Sequence, residues 1–172
     1  MRYLVNGFLL VAPLLALNMA LAGRLPAGYQ PAAWNAVPAG VCIAENVLRL
    51  PTFLLPVLLP ISFSGAVQRV GAVLYAVGAA GYLASWAVQI LRPNAAWSTG
   101  RAGFLAPAYT PALWLTGIGL LGAEPIIPHL RYLPWIYLGT VLAFLAVHNL
   151  HAELVHRRLS RAAGHPGGRV AR

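Results

Sequence analysis

The chain has 172 residues, of which 59% are hydrophobic and 9% charged, whereas about 25% of residues are charged in a soluble globular domain. That balance excludes an ordinary soluble domain, and five stretches near 20 residues long consume most of the chain. Twelve arginines against three glutamates give a formal net charge of +9. With no folded basic surface to read a groove, this points to loop ends meeting anionic headgroups and not to nucleic acid.

Residues 3–22 carry no charged side chain, and a helix needs roughly 20 apolar residues to cross the hydrocarbon core. Arg2, the apolar run and Ala20-Leu21-Ala22 also have the outline of a signal peptide. Cleavage after Ala22 would put the arginine-rich C-terminus outside, so the stretch is expected to remain as the first span. The connection 23–40 contains Pro26, Pro31 and Pro38, which forbid a continuous helix. Its Tyr29 and Trp34 suit the headgroup level.

The second stretch, 41–63, is interrupted by Glu45 and Arg49. Four residues apart on a helix, these two can partly neutralise each other, so a span is expected here. The alternative is four spans plus a re-entrant segment, because the charge-free part is only 50–63 and runs of about 10–14 residues can dip in and return. Residues 70–91, 103–122 and 132–150 complete the set. Pro93-Asn94 marks a turn after the third, with Trp97 as an interface anchor. Pro107 and Pro111 interrupt the start of the fourth. The connection 122–131 holds Glu124, Pro125, Pro128 and His129. Trp135 and Tyr137 are expected to anchor the far end of the last span.

The expected fold is therefore all-α: a polytopic transmembrane helix bundle of five spans over residues 1–159, followed by a flexible basic cytoplasmic tail, 160–172. With the N-terminus out and the C-terminus in, Arg24, Arg92, Arg101 and the five arginines after 156 lie inside, while Arg2, Arg69 and Arg131 lie outside. Eight against three is the direction that the positive-inside rule requires. A bacterial cytoplasmic (inner) membrane is the expected location. Cys42 is the single cysteine, which rules out an internal disulfide.

Ionisable residues inside a membrane are expensive and mark function by default. On a helix of about 100° per residue, Glu45, Arg49, Thr52 and Pro56 fall within about 60° of one another. With Asn46 they form a polar, proline-notched face. Such a face either pairs its charges near the interface or lines a ligand cavity in which Arg49 holds an anionic group and Glu45 exchanges a proton. Gly71, Tyr75, Gly78, Tyr82, Ser85 and Gln89 share one stripe of the third span. Close helix packing explains the stripe; alternatively Tyr75, Tyr82 and Gln89 face Glu45 and Arg49 across a cavity, with Tyr109 contributing a hydroxyl. The last span ends in His148, His151, Glu153 and His156, candidates for pH-sensitive or headgroup contacts. His151 and His156 are expected to reach water and His148 to be the more enclosed.

No metal or other cofactor is expected, because one helix supplies at most two converging ligands and none of the five spans contains a Glu-x-x-His spacing. Nucleotide-binding, serine-hydrolase and zinc-protease motifs are absent from the sequence, and no motif assigns a family. Three functions fit. The first is binding or transport of a small lipophilic or anionic ligand at the Glu/Arg site. The second is a non-catalytic accessory subunit of a larger membrane complex. The third is a membrane enzyme on lipid or isoprenoid substrates, using the His148–Glu153 end as acid and base. Expected partners are membrane lipids, anionic headgroups at the basic tail, and a homo-oligomer or larger complex.

Overall fold

A computed structural model describes residues 4–122 and 132–163. The expectations for Arg2, Glu124, Pro125, Pro128, His129, Arg131 and the tail beyond residue 163 lie outside the described residues. Within them the regular elements are helices, joined by two isolated β-bridges. Four helical runs are long and apolar enough to cross a membrane: Ala39–Leu58, Ala66–Leu91, Arg101–Leu121 and Leu133–Ala163.

The first helix, α1, is the short one. It covers Phe8–Leu21 and continues as a 3-10 turn, Ala22–Arg24. The chain before it is held by pairing: the Gly7 amide donates to Leu59 O at 2.8 Å and the Ile61 amide to Val5 O at 3.0 Å. Asn6 Oδ1 accepts the Phe8 amide at 3.1 Å, and Ser62 N donates to Leu121 O at 3.1 Å. Three irregular pieces thus satisfy one another's backbone groups at one end of the molecule, as an apolar environment demands. The stretch 41–63, whose crossing the charges put in question, forms a 20-residue helical run. It consists of α3, Ala39–Leu54, and a 3-10 turn, Leu55–Leu58.

Between α1 and α3 lies a compact connection containing the one-turn helix α2, Pro31–Trp34. Helix α4, Ala66–Leu91, is followed by the single turn α5, Ala96–Thr99. Proline divides the next run as its spacing requires: α6, Arg101–Tyr109, ends before Pro111, which opens α7, Pro111–Leu121. Pro111 supplies no amide, and the break is mended by side chains. Thr110 Oγ1 donates to Ala106 O at 2.8 Å, and Asn149 Nδ2 donates to Ala108 O at 3.2 Å. Helix α8 runs from Leu133 to Ala163, 31 residues, rising about 46 Å. The helix therefore continues four residues past the boundary drawn at 159.

The core lies along α7 and α8, where Trp114, Leu115, Ile118, Tyr137 and Val141 are buried together. Tyr137 is fully enclosed and is no interface anchor; Trp135, 70% exposed, keeps that outward position. Helices α4 and α7 approach through glycine. A Cβ on Gly71 would lie 2.9 Å from Gly117 O, and one on Gly117 would lie 2.5 Å from the Tyr75 amide nitrogen. The outward faces are apolar: Ile43, Val47, Leu50 and Leu54 on α3 and Val67, Val70, Val73 and Val77 on α4 are all more than half exposed. Soluble monomers rarely carry contiguous patches of that kind.

Candidate functional site

Glu45 is the focus of the polar interior. It stands on α3, nearly inaccessible at 1% exposure, and three basic side chains converge on its carboxylate. Arg49, one turn further along, donates to Oε1. His148 on α8 donates from Nδ1 to the same oxygen at 3.1 Å, and His151 donates from Nδ1 to Oε2 at 2.5 Å. Two residues three apart on one helix thus grip opposite oxygens of a carboxylate on the facing helix. A buried carboxylate is tolerable only when paired and hydrogen-bonded in this way.

The connection roofs this cluster. Trp34, at the end of α2, lies over both imidazoles, its ring centroid 4.5 Å from His151 and 5.9 Å from His148. Its carbonyl accepts the Nε2 proton of His151 at 2.9 Å. Tyr29 stacks on Phe104 at 4.7 Å, meets Trp86 edge-on at 5.0 Å and donates its hydroxyl to Phe104 O at 2.8 Å. Burial pushes the Tyr29 phenol well above its ordinary pKa, so it serves as a donor. Tyr29 and Trp34 therefore pack inward against the bundle. Prolines turn the segment back over the bundle, and stacking on aromatic neighbours outweighs interfacial exposure.

Beneath this roof is a cavity of about 520 Å³, within the range of small-molecule sites. Its walls are mainly apolar and aromatic, with Leu14, Phe53, Trp86, Trp114, Leu115 and Phe144 among them. Arg49, His148, Asn18 and Tyr82 supply polar groups. Tyr82 and Asn18 are tied to each other, hydroxyl to Oδ1, at 2.7 Å. The indole N–H groups of Trp34 and Trp114, both on the cavity wall, are buried donors without a partner among the described residues. An unpaired buried donor is costly. A second, smaller vestibule of about 270 Å³ lies on the other side of the cluster, lined by Glu45, Asn46, Arg49, His151, Trp34 and Cys42 among others. Arg49 and Trp34 belong to both spaces.

Of the residues expected at a ligand site, Glu45, Arg49 and Tyr82 are brought to the cluster or the cavity. Asn46 is exposed and reaches only the vestibule. Thr52 is buried but gives its hydroxyl to Leu48 O, 2.8 Å away on its own helix. Tyr75 bonds Leu10 O at 3.0 Å, locking α4 to α1, and Gln89 donates to Gly103 O at 2.7 Å, closing the turn around α5. Both are packing residues. Tyr109 is 45% exposed and lines neither space.

The histidines reverse their expected order. His151 is 5% exposed beneath Trp34, while the His148 side chain, 18% exposed, borders the cavity. The reason is the roof: the connection folds down over His151, which no helical wheel anticipates. Glu153 turns away from both, accepting from Arg101 Nε at 2.9 Å and Arg157 Nε at 2.6 Å, so it is no acid–base partner for His148. His156 donates to Thr99 O at 3.2 Å. Among the described residues, no group of three or more His, Cys, Asp or Glu side chains is arranged to hold a metal ion.

Sequence inspection did not mark Asn18, Trp34, Trp86, Trp114 or Phe144 as site residues. For the three tryptophans the only signal was their abundance, which in a membrane chain reads equally as interface anchoring; Asn18 and Phe144 carried none. No family model matches the chain, and no curated protein or solved structure matches it either.

Proposed function

We propose that the chain is an integral membrane protein that binds, and in the manner of a carrier or sensor handles, a small amphipathic molecule with an apolar body and an acceptor-bearing head. The observation that carries this is the 520 Å³ aromatic cavity with Arg49 and His148 at its polar end. An apolar body displaces nothing well hydrated from such walls, while the head meets a cation and an imidazole. In this proposal the protein makes five crossings. The run from Phe8 to Arg24 spans about 27 Å, near the roughly 30 Å of hydrocarbon. The arginine bias puts the roofed end in the cytoplasm and the N-terminus outside, in a bacterial inner membrane. Cysteines introduced at positions 2 and 170 should then label from opposite sides.

Binding is tested with the full chain in lipid nanodiscs, titrated with a bromine-tagged lauric acid that quenches tryptophan emission on contact. Saturable quenching is expected for the native chain. Ala108→Phe, which fills the cavity from its wall, should reduce the response to the nonsaturable background of lipid partitioning. Equal quenching in both proteins would sink the proposal. A role as an accessory subunit is favoured by one separate observation: Val73, Val77 and Gly81 leave a small-residue face of α4 uncovered, and such faces admit close helix approach.

A further inference from the structure

Building on the ligand-binding role, we propose that the head group is a monoanion and that it binds together with one proton, held on His151 in a place separate from the ligand. The geometry of His151 carries the inference. Its Nδ1 faces a carboxylate oxygen at 2.5 Å and its Nε2 faces the Trp34 carbonyl at 2.9 Å. Both partners are acceptors, so both ring nitrogens donate, and an imidazole with two N–H groups is a cation.

Charge counting then fixes the ligand's sign. Glu45 contributes one negative charge, and Arg49 and His151 contribute one positive charge each. His148 uses its Nδ1 proton on Glu45 and is satisfied as the neutral tautomer. One positive charge is left over in the cluster, whose half-exposed Arg49 borders the apolar cavity, and a charge without a counter-ion beside apolar walls is costly. A monoanion cancels it, and a neutral or cationic head does not. Without the anion the extra proton is disfavoured, and without the proton the anion meets a site of no net charge. Each therefore favours the other.

The two binding places are distinct. His151 borders the vestibule and not the cavity, His148 borders the cavity and not the vestibule, and the Glu45 carboxylate joins them, one oxygen to each imidazole. The other titratable groups nearby are Arg49 on α3, Tyr29 of the connection, and Cys42, which borders the vestibule. Tyr29 is committed to Phe104 O, and Cys42 Sγ stands 4.0 Å from Trp34 O. On α4, Tyr82 is tied to Asn18. No step here breaks or makes a covalent bond other than the transfer of a solvent proton to a ring nitrogen.

The test uses the full chain in nanodiscs and two probes of equal chain length: dodecanesulfonate, which stays anionic, and dodecanol, which is uncharged. Binding is measured across about pH 5 to 8, the interval in which imidazoles change charge, and protons are counted calorimetrically in buffers of different ionisation enthalpy. At the alkaline end, dodecanesulfonate should take up close to one proton per molecule bound. Its affinity should rise by up to about tenfold for each pH unit lowered, the limit for a single linked proton. Dodecanol should bind without proton uptake. His151→Gln should abolish uptake and flatten the sulfonate pH profile, while His156→Gln, at a side chain that borders neither space, should retain both. Sulfonate binding without protons in the native chain, or uptake that survives His151→Gln, overturns the inference and leaves the cavity's binding role intact. Failure of both probes to bind overturns the binding role and this inference together. The proton count on the native chain decides the matter even if neither variant folds.

Discussion

Two seams hold α3, α4, α7 and α8 together, and they follow opposite rules. Between α4 and α7 the contact is made by absence: glycines at 71, 78 and 117 let the backbones come so close that a single Cβ would collide. Between α3 and α8 the contact is made by charge: Glu45 takes three basic partners, with an aromatic cavity on one side and a polar vestibule on the other. Lipid offers no hydrophobic drive between helices, so packing and polar contacts must supply it. The first seam is closed by backbone contact, and the second is a hydrogen-bonded charge cluster that borders a cavity and a vestibule. That contrast is the reason the proposed function is put on the α3–α8 side.

Four perturbations test the contrast, from the largest effect to the smallest. Glu45→Ala strands Arg49 and His151 without a counter-charge, and loss of one member of a buried pair costs about 3–5 kcal/mol. The thermal midpoint in nanodiscs should fall accordingly. Arg49→Ala should cost clearly less, because the Arg49 side chain is 46% exposed and Glu45 keeps both histidines. Equal losses would mean that the carboxylate does not organise the seam.

Gly78→Val drives a Cβ to within 2.6 Å of Leu113 Cβ and closer still to the Trp114 backbone nitrogen. Overpacking of this kind costs about 1–3 kcal/mol. Gly81, three residues on, has nothing within 4 Å, so Gly81→Val in the same helix should be nearly silent in a melting experiment. A matching loss at both positions would show that α4 responds to helix propensity and not to contact with α7.

Trp114→Phe removes a buried donor that has no partner, so stability should hold or rise slightly. Ligand affinity should change little, because the indole N–H is sealed from the cavity. A clear loss of affinity in the quenching titration would show that it bonds the ligand head. The smallest effect is expected at Glu153→Gln. Its partners Arg101 and Arg157 are 71% and 60% exposed, and exposed pairs contribute about 0.2–1 kcal/mol. That loss should shrink further in high salt, whereas the Glu45 effect should not.

The sequence by itself determined that the chain is helical and apolar enough for a membrane, because length and charge-free composition are local properties. It also marked the helix break at Pro111, which acts through its own backbone, whereas Pro107, expected to interrupt the same run, lies inside α6. Glu45 and Arg49 declared themselves by being charged within an apolar stretch, and the pairing of Glu153 with Arg157 followed from a four-residue spacing. What only the tertiary structure decided is who meets whom across helices. His148 and His151 lie 103 and 106 positions from Glu45, and no periodicity within one helix reports the rotation of another about its axis. The same limit hid the roof: Trp34 and Tyr29 look like interface anchors until the connection is seen folded over the cavity. Tyr75, Tyr82 and Gln89 share one helical stripe, yet only Tyr82 borders the cavity, because Tyr75 is held by α1 and Gln89 by α6, which divides a face that a wheel draws as continuous.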